Sequence, residues 1–460
     1  MRTIHKIAIG LLVALCFTSG YRMRLNSITH EQAAQAQQSA PVLAPGTQIA
    51  SVGLQGAANI DFKPIETLYS VVKNLREHYV EQLTPKDEGK MTHDALKVML
   101  GSLNDVNTRF VDADGNKVID DAQEGKFHGV GAVLGIKRIK SNGITEEHLL
   151  LISPIPGGPA AAAGLKAGDD IVAVNGKNVL PFDPYQRANK IIKDSRNGKT
   201  NRLILRKELE SEQKRLDNGM LITEAMDQLT TKDKDNVDLT VVRKGSPKEI
   251  KVKLEPKVFM VEPVASSVIE NGAFGYIKIN FLGRKTGEQF TSAVQNLKAK
   301  KTKGLVLDLR DVAGGEVDSA LQVAADLTPG KRLAYVVKSR DRKSSINIPS
   351  VSSEDIWHEP LVVLVNSGTA RTSELIASVV KDSRAGRLVG ETTYGDSAYT
   401  TFIEQPDGSA VIMTTGKFLT SAGTDYTGKG IKVDVQVGSG SDDIQLKEAV
   451  KLLASGGQRS

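Results

Sequence analysis

Two stretches limit what this chain can become: "KGLVLDLRDVAGGEVDSALQVAADL" at 303–327 and "EPLVVLVNSGTARTSELIASVVKD" at 359–382. Each starts as an apolar run of strand length, turns through small residues, and continues with apolar residues at helical spacing, which predicts a buried strand followed by a helix. "FGYIKINFL" (274–282) predicts another strand, "GEQFTSAVQNLKAK" (287–300) an amphipathic helix, and "GRLVGETTYGD" (386–396) a returning strand. Strands alternating with helices imply an α/β core, and such cores carry binding chemistry on the turns at their strand ends.

The rest of the chain divides around this core, expected over 257–440. Residues 1–20 place Arg2, His5 and Lys6 before the apolar run Ile7 to Phe17, the pattern of a signal peptide or a membrane anchor. The run is short for a spanning helix, and no A-x-A cleavage site follows closely. Residues 21–59, rich in Ala, Gln, Pro, Gly and Ser, read as a flexible linker. Phe62, Ile65, Tyr69, Val72, Leu75 and Tyr79 recur at helical spacing. With Leu96, Met99, Leu100 and Leu103 behind a cap at Thr92, they predict a helical unit over 60–125. "DADGN" at 112–116 is expected to be a turn, because Lys117 stands where a calcium loop needs glycine. A C-terminal helix and tail are expected at 441–460.

Residues 126–256 read as β-rich. "GVGAVLGIKR" (129–138) and "EHLLLISPI" (147–155) are strand-like, and "PGGPAAAAGLKAGDDIVAVNGKNV" (156–179) gives a short helix ended by Gly164, a strand, and an Asn175-Gly176 hairpin turn. This pattern resembles a PDZ domain. The resemblance implies that the loop Phe127, His128, Gly129, Val130, Gly131 offers backbone N–H groups to the C-terminal carboxylate of a peptide. "LITEAMDQL" (221–229) would be the helix flanking that ligand, with a charged, helical insert at 182–219 ahead of it, either a solvated excursion or an arm for a partner or a second copy.

Composition excludes several chemistries. The formal net charge of +6 is spread over many Lys-rich stretches, which favours solvated faces over nucleic-acid binding. The single cysteine, Cys16, leaves no disulfide framework, zinc cluster or cysteine nucleophile, and the seven histidines fall in no metal or Ser-His-Asp pattern. No cofactor or metal is expected.

In the order "GYIKI", "GLVLDLRDVAGG", "PLVVLVNSGTARTSE", "GRLVGETTYG" and "GKFLTSAGTDYTGKGIKVDV", together with the PDZ stretch, residues 60–440 resemble the carboxyl-terminal processing peptidases, or tail-specific proteases. The resemblance implies a crotonase-like peptidase core with an inserted PDZ domain and an N-terminal helical unit. It also implies a serine nucleophile activated by a lysine that a glutamine holds. A lysine is a base only when burial depresses its pKa.

This sequence departs from the family at all three positions. The nucleophile motif (Ser/Thr)-Ala-Ser-x-Ser-Glu is here Thr369-Ala370-Arg371-Thr372-Ser373-Glu374. The (Phe/Tyr)-Gly-Lys motif is Tyr394-Gly395-Asp396, and the glutamine position is Thr400. A guanidinium stays protonated and is no nucleophile. A long residue has replaced a short one and a short one a long one, so Arg371 and Asp396 are expected to close as an ion pair, with Thr400 or nearby backbone contributing. Gly314, Gly315 and the N–H of Thr372 match the family's oxyanion hole. The resulting expectation is an exported periplasmic or cell-envelope protein, soluble or anchored by its N-terminus. It binds protein or peptide C-termini without cleaving them. The alternative is a working endopeptidase with a relocated nucleophile, for which Ser367, Ser373 or Ser397 would need Lys381 or Lys417 as base.

Overall fold

In a computed structural model, the structure describes residues 63–103, 105–141, 143–197, 201–230, 236–246, 248–328, 334–349, 351–352, 356–438 and 443–455. The signal or anchor expected at 1–20 and the linker at 21–59 lie outside them. The contacts divide the chain into two units, and 63–113 with 403–412 form the smaller one. It holds helices α1 (Lys63–His78) and α2 (Pro85–Gly101) and the strand β1 (Arg109–Val111), paired antiparallel with 410–412. The second helix starts at Thr84 rather than at the expected Thr92. The Thr84 hydroxyl accepts the Asp87 N–H at 3.2 Å, the Asp87 carboxylate accepts the Thr84 N–H at 3.0 Å, and Pro85 has no N–H to lose at the first turn.

The larger unit begins with α3 (Ala113–Gln123), a helix where a turn was expected at 112–116. Asp114 in its first turn suits the positive end of the helix dipole. Next come β2 (Lys126–Phe127), β3 (Ala132–Ser141), β4 (Ile144–Pro154), α4 (Pro159–Ala162), β5 (Asp170–Val174) and β6 (Lys177–Leu180). The insert follows as α5 (Gln186–Arg196) and α6 (Arg202–Asp217), then β7 (Gly219–Leu221), α7 (Ile222–Thr230), β8 (Val237–Val242) and β9 (Glu249–Leu254). The sheet runs β3-β4-β5-β6-β7, and β8 links β5 to β9. The β5–β6 turn places Asn175 at φ 50° and Gly176 at φ 75°, the left-handed pair that makes Asn-Gly a hairpin signal. Strands β6 and β7 are parallel neighbours, Asn178 opposite Gly219, so the helical insert leaves and re-enters at one place on the sheet.

The α/β part comprises β10 (Phe259–Met260), β11 (Val264–Ile269), β12 (Phe274–Ile279), α8 (Thr286–Ala299), β13 (Leu305–Asp308), α9 (Val317–Leu327), β14 (Ala334–Lys338) and β15 (Lys343–Asn347). It continues through β16 (Leu361–Val365), α10 (Thr372–Ser383), β17 (Arg387–Gly390), β18 (Ala398–Glu404), β19 (Ala410–Leu419), β20 (Val435–Gln436) and α11 (Ile444–Ala454). Its main sheet is β11-β12-β13-β16-β17-β20, parallel except for the edge strand β11. Leu305, Leu307, Val363 and Val365 enter one core with Phe290, Ala324 and Leu375, whereas Val306, Val362 and Leu364 enter another with Leu453. Burial on both faces is why β13 and β16 are apolar at every position except Asp308, at the end of β13. Each such side chain contributes roughly 1.5–3 kcal/mol, enough to make this sheet the rigid platform for the turns at its strand ends.

A buried ionic clamp fastens the end of β13 to the last helix. Asp308, 2% exposed, accepts hydrogen bonds from the Tyr276 hydroxyl at 2.8 Å, Lys278 Nζ at 3.2 Å and Arg310 Nε at 3.0 Å. Arg310 also reaches Asp443, the N-cap of α11, at 2.6 Å. Burial alone would raise the Asp308 carboxyl, but Lys278 and Arg310 outweigh it and hold it down at about 2.

The β-rich domain presses the outer face of β3 and β4 onto the α/β part. A Cβ at Gly135 would lie 3.2 Å from the Tyr394 hydroxyl, Lys137 Nζ stands 5.7 Å from the Tyr394 ring centre, and the Ser153 hydroxyl donates to the Asp311 carbonyl.

Candidate functional site

Between β16 and α10 the chain makes one sharp turn, and Arg371 sits at its apex with φ 56° and ψ −121°. A side chain held there costs roughly 1–3 kcal/mol, and a strained strand-to-helix turn of this kind is how hydrolases lift a nucleophile above a sheet. Here the lifted group is a guanidinium. The turn is held by contacts that do not involve that group. Ala370 N–H donates to the Val312 carbonyl at 3.0 Å, the buried Ser373 hydroxyl lies against the carbonyls of Val312 and Ala370, and the Thr369 hydroxyl donates to the Leu309 carbonyl at 2.8 Å. Asn366 binds the Asp311 carboxylate through Nδ2 at 3.0 Å and accepts the Asp311 and Gly368 N–H groups.

Glu374, fully buried, joins the turn to the loop after β17. Its carboxylate accepts the Thr393 hydroxyl and three N–H groups, from Gly395 at 2.7 Å, Asp396 at 2.9 Å and Arg371 at 3.0 Å. That loop therefore brings Asp396 back over the elbow, where Arg371 Nε donates to Asp396 Oδ2 at 2.9 Å. The Asp396 side chain is 12% exposed and that of Arg371 27%. The expected ion pair is present. Its backbone support comes from Ala398, whose N–H donates to Asp396 Oδ1 at 3.1 Å, while Thr400 is exposed on β18 and makes no hydrogen bond to the pair.

The donor groups expected around a developing oxyanion also meet here. Gly314 and Gly315 adopt φ 91° and 141°. A Cβ on Gly314 would lie 2.8 Å from Arg371 Cβ, and one on Gly315 only 2.0 Å from the Leu282 carbonyl oxygen, so only glycine fits. The N–H groups of Gly314, Gly315 and Thr372, the last at the start of α10, have no acceptor among the described residues. The site thus presents preorganised donors for negative charge, and the side chain raised at the elbow is a guanidinium rather than a hydroxyl. Four of the other candidate groups have partners of their own. Ser373 is locked as described, Ser397 Oγ pairs with Thr427 at 2.6 Å, Lys381 binds the Lys432 carbonyl and Asp434, and Lys417 binds Asp425 at 3.5 Å.

In the loop 127–131, expected to offer its backbone N–H groups, two side chains are structural. Phe127 packs on Phe259 and edge-on against Phe281, while the buried His128 holds Asp121 through Nε2 at 2.7 Å. Gly129 and Gly131 have φ 83° and 70°. The Val130 N–H makes a long 3.4 Å bond to the Leu229 carbonyl at the end of α7, and the N–H groups of Gly129 and Gly131 have no acceptor among the described residues.

Glu374 and Thr393 were not singled out from the sequence, although Glu374 closes the motif that begins at Thr369. The carboxylate that closes the motif belongs to the scaffold, not to the attacking group. Burial pushes the Glu374 carboxyl up to about 7, against four donors that favour its ionised form. A folded pKa above the ordinary 4.5 means that this group stabilises the fold most below pH 4.5, and that the contribution is lost as pH rises through about 7. The change is up to about 3 kcal/mol at ~1.4 kcal/mol per pKa unit. Urea unfolding followed by the only tryptophan, the buried Trp357, should show it as a falling midpoint between pH 5 and 7.5 that flattens in Glu374→Gln.

Residues 273–437 match the model of Peptidase family S41, and residues 152–207 match a PDZ domain. The chain thus carries a Peptidase family S41 segment and a PDZ domain, and it is similar to proteins named as C-terminal processing proteases. Among its relatives, the carboxy-terminal processing protease CtpA of Bacillus subtilis is 28% identical over 386 residues, covering 84% of this chain and 71% of that protein. The chloroplastic C-terminal processing peptidase of Tetradesmus obliquus is 28% identical over 394 residues, covering 83% and 75%. The solved photosystem II D1 C-terminal processing protease superposes with a TM-score of 0.58 at 25% identity, over 85% of this chain and 92% of that one. The elbow at Arg371 lies within the segment that matches Peptidase family S41.

Proposed function

We propose that this protein is a non-catalytic member of its family, exported to the periplasm or cell envelope, that holds the C-terminal segments of proteins or peptides through its PDZ domain. In this reading the α/β part is a crotonase-like core, and residues 60–125 are a helical unit. The observation that carries the loss of catalysis is the Arg371–Asp396 ion pair filling the elbow. A permanently charged guanidinium cannot attack a carbonyl, and a carboxylate already bonded to it cannot relay a proton.

Binding is supported by the edge of β3, which among the described residues pairs only with β4, and by the N–H groups of Gly129 and Gly131 beside it. A peptide could add a strand there and end its carboxylate in the glycine loop. The test is fluorescence anisotropy with a labelled, unstructured peptide ending in an apolar residue, as free acid and as C-terminal amide. The acid should bind at least ~10-fold tighter, since a charge-assisted bond to backbone N–H is worth about 1.5–3 kcal/mol. Gly131→Val should abolish the difference, because its Cβ would lie 2.8 Å from Gly158 Cα and φ is positive. Equal affinity for acid and amide would contradict carboxylate capture.

A further inference from the structure

The charge of the whole chain is diffuse, but along the insert the acids are nearly confined to the root-ward part, and the far end carries an excess of cations. At its root the hairpin is pinned: Arg187 makes a two-pronged ion pair with the buried Glu146, and Arg215 holds the buried Glu212 and the Pro184 carbonyl. The acids of α6, Glu208, Glu210, Glu212 and Asp217, all lie in its root-ward two thirds. Towards the far end stand Lys193, Arg196, Arg202, Arg206 and Lys207. There the one described carboxylate, Asp194, is held by Lys190. Arg206 reaches back to Glu210, whereas Lys193, Arg196, Arg202 and Lys207 pair with no carboxylate among the described residues. Among these cations Leu203 is 80% exposed and Ile204 48%, with Ile192 also in solvent.

We infer that this end of the insert is a docking surface for an anionic lipid bilayer. Cations alone would suit any polyanion, but a nucleic-acid phosphate backbone gains nothing from two adjacent aliphatic side chains, and the described ends of the two helices carry no aromatic ring on which a base could stack. An interface of anionic headgroups over acyl chains satisfies both kinds of group at once: the guanidinium and ammonium groups sit at the headgroup level while Leu203 and Ile204 enter the apolar boundary. No helix among the described residues is long and apolar enough to cross a membrane, so the contact is peripheral. Its rigid root would fix the orientation of the PDZ domain at the surface.

Flotation of the full chain with phosphatidylcholine vesicles containing 30% phosphatidylglycerol tests this, beside pure phosphatidylcholine vesicles and a single-stranded oligonucleotide. The parent should float with the anionic vesicles and release in high salt. Arg202→Gln with Lys207→Gln should weaken partitioning about 25-fold, at ~5-fold per cation near the surface. Leu203→Ser with Ile204→Ser should also weaken it while leaving Trp357 fluorescence unchanged. Unaltered flotation of both double variants would overturn the proposal by locating the contact elsewhere in the chain, such as the apolar run at Ile7 to Phe17. Oligonucleotide binding without flotation, or concentration-dependent self-association without flotation, would overturn it in favour of those partners.

Discussion

Arg371→Ser, Asp396→Lys and Thr400→Gln introduced together are expected to convert this chain into a protease, cleaving an unfolded substrate at least ~10³-fold faster than the parent. The elbow is held at φ 56° by Ala370, Ser373, Asn366 and Glu374, none of which depends on the side chain at 371, so a serine placed there inherits the raised position. The N–H groups of Gly314, Gly315 and Thr372, without acceptors among the described residues, would be available to a developing oxyanion. A lysine at 396 would enter a largely buried loop beside Tyr394, where desolvation favours the neutral amine it needs as base. Arg371→Ser alone should stay inert: it supplies a hydroxyl without a base and strands the Asp396 carboxylate, and groups that act as a unit do not return activity singly. An inert triple variant with native Trp357 fluorescence would show that the scaffold has lost more than its side chains.

Asp308→Ala should be the most destabilising single change in the α/β part, by about 3–5 kcal/mol in urea unfolding read by Trp357. It removes the carboxylate shared by Lys278, Arg310 and Tyr276, leaving two cations 20% and 17% exposed and loosening the hold of Arg310 on α11 through Asp443. The same clamp sets an acid limit opposite in sign to the Glu374 effect. With its pKa held at about 2, Asp308 contributes stability that is fully present above pH 3.8 and is lost as pH falls through about 2. A change of less than 1 kcal/mol in Asp308→Ala would mean that Asp443 and Gln445 already satisfy Arg310 without it.

The main sheet was legible because apolar runs such as "LVVLV" and "GLVL" can be buried only between two layers, and the Asn175-Gly176 turn because few dipeptides tolerate two left-handed residues. The Arg371–Asp396 contact was legible through an exchange of side-chain lengths at two positions known to face each other in the family. Two local elements were misjudged. Thr92 lies inside a helix whose start was decided by Pro85 and the reciprocal Thr84–Asp87 bonds, and 112–116 became helical because Asp114 favours a first turn there. Three contacts were beyond a linear reading because they join distant segments: Glu374 to the loop 393–396, Asp308 to Asp443 through Arg310, and Lys137 to Tyr394. The charge separation along the insert was visible in sequence, but the net charge of the whole chain concealed it.

Incubation of the purified parent protein with an unfolded substrate, followed by gel electrophoresis and mass spectrometry of any fragments beside a Ser373→Ala control, tests the central claim most directly. A folded protein that leaves the substrate intact is the predicted result. Cleavage at defined bonds that disappears in Ser373→Ala would contradict it and point to an attacking hydroxyl next to the elbow.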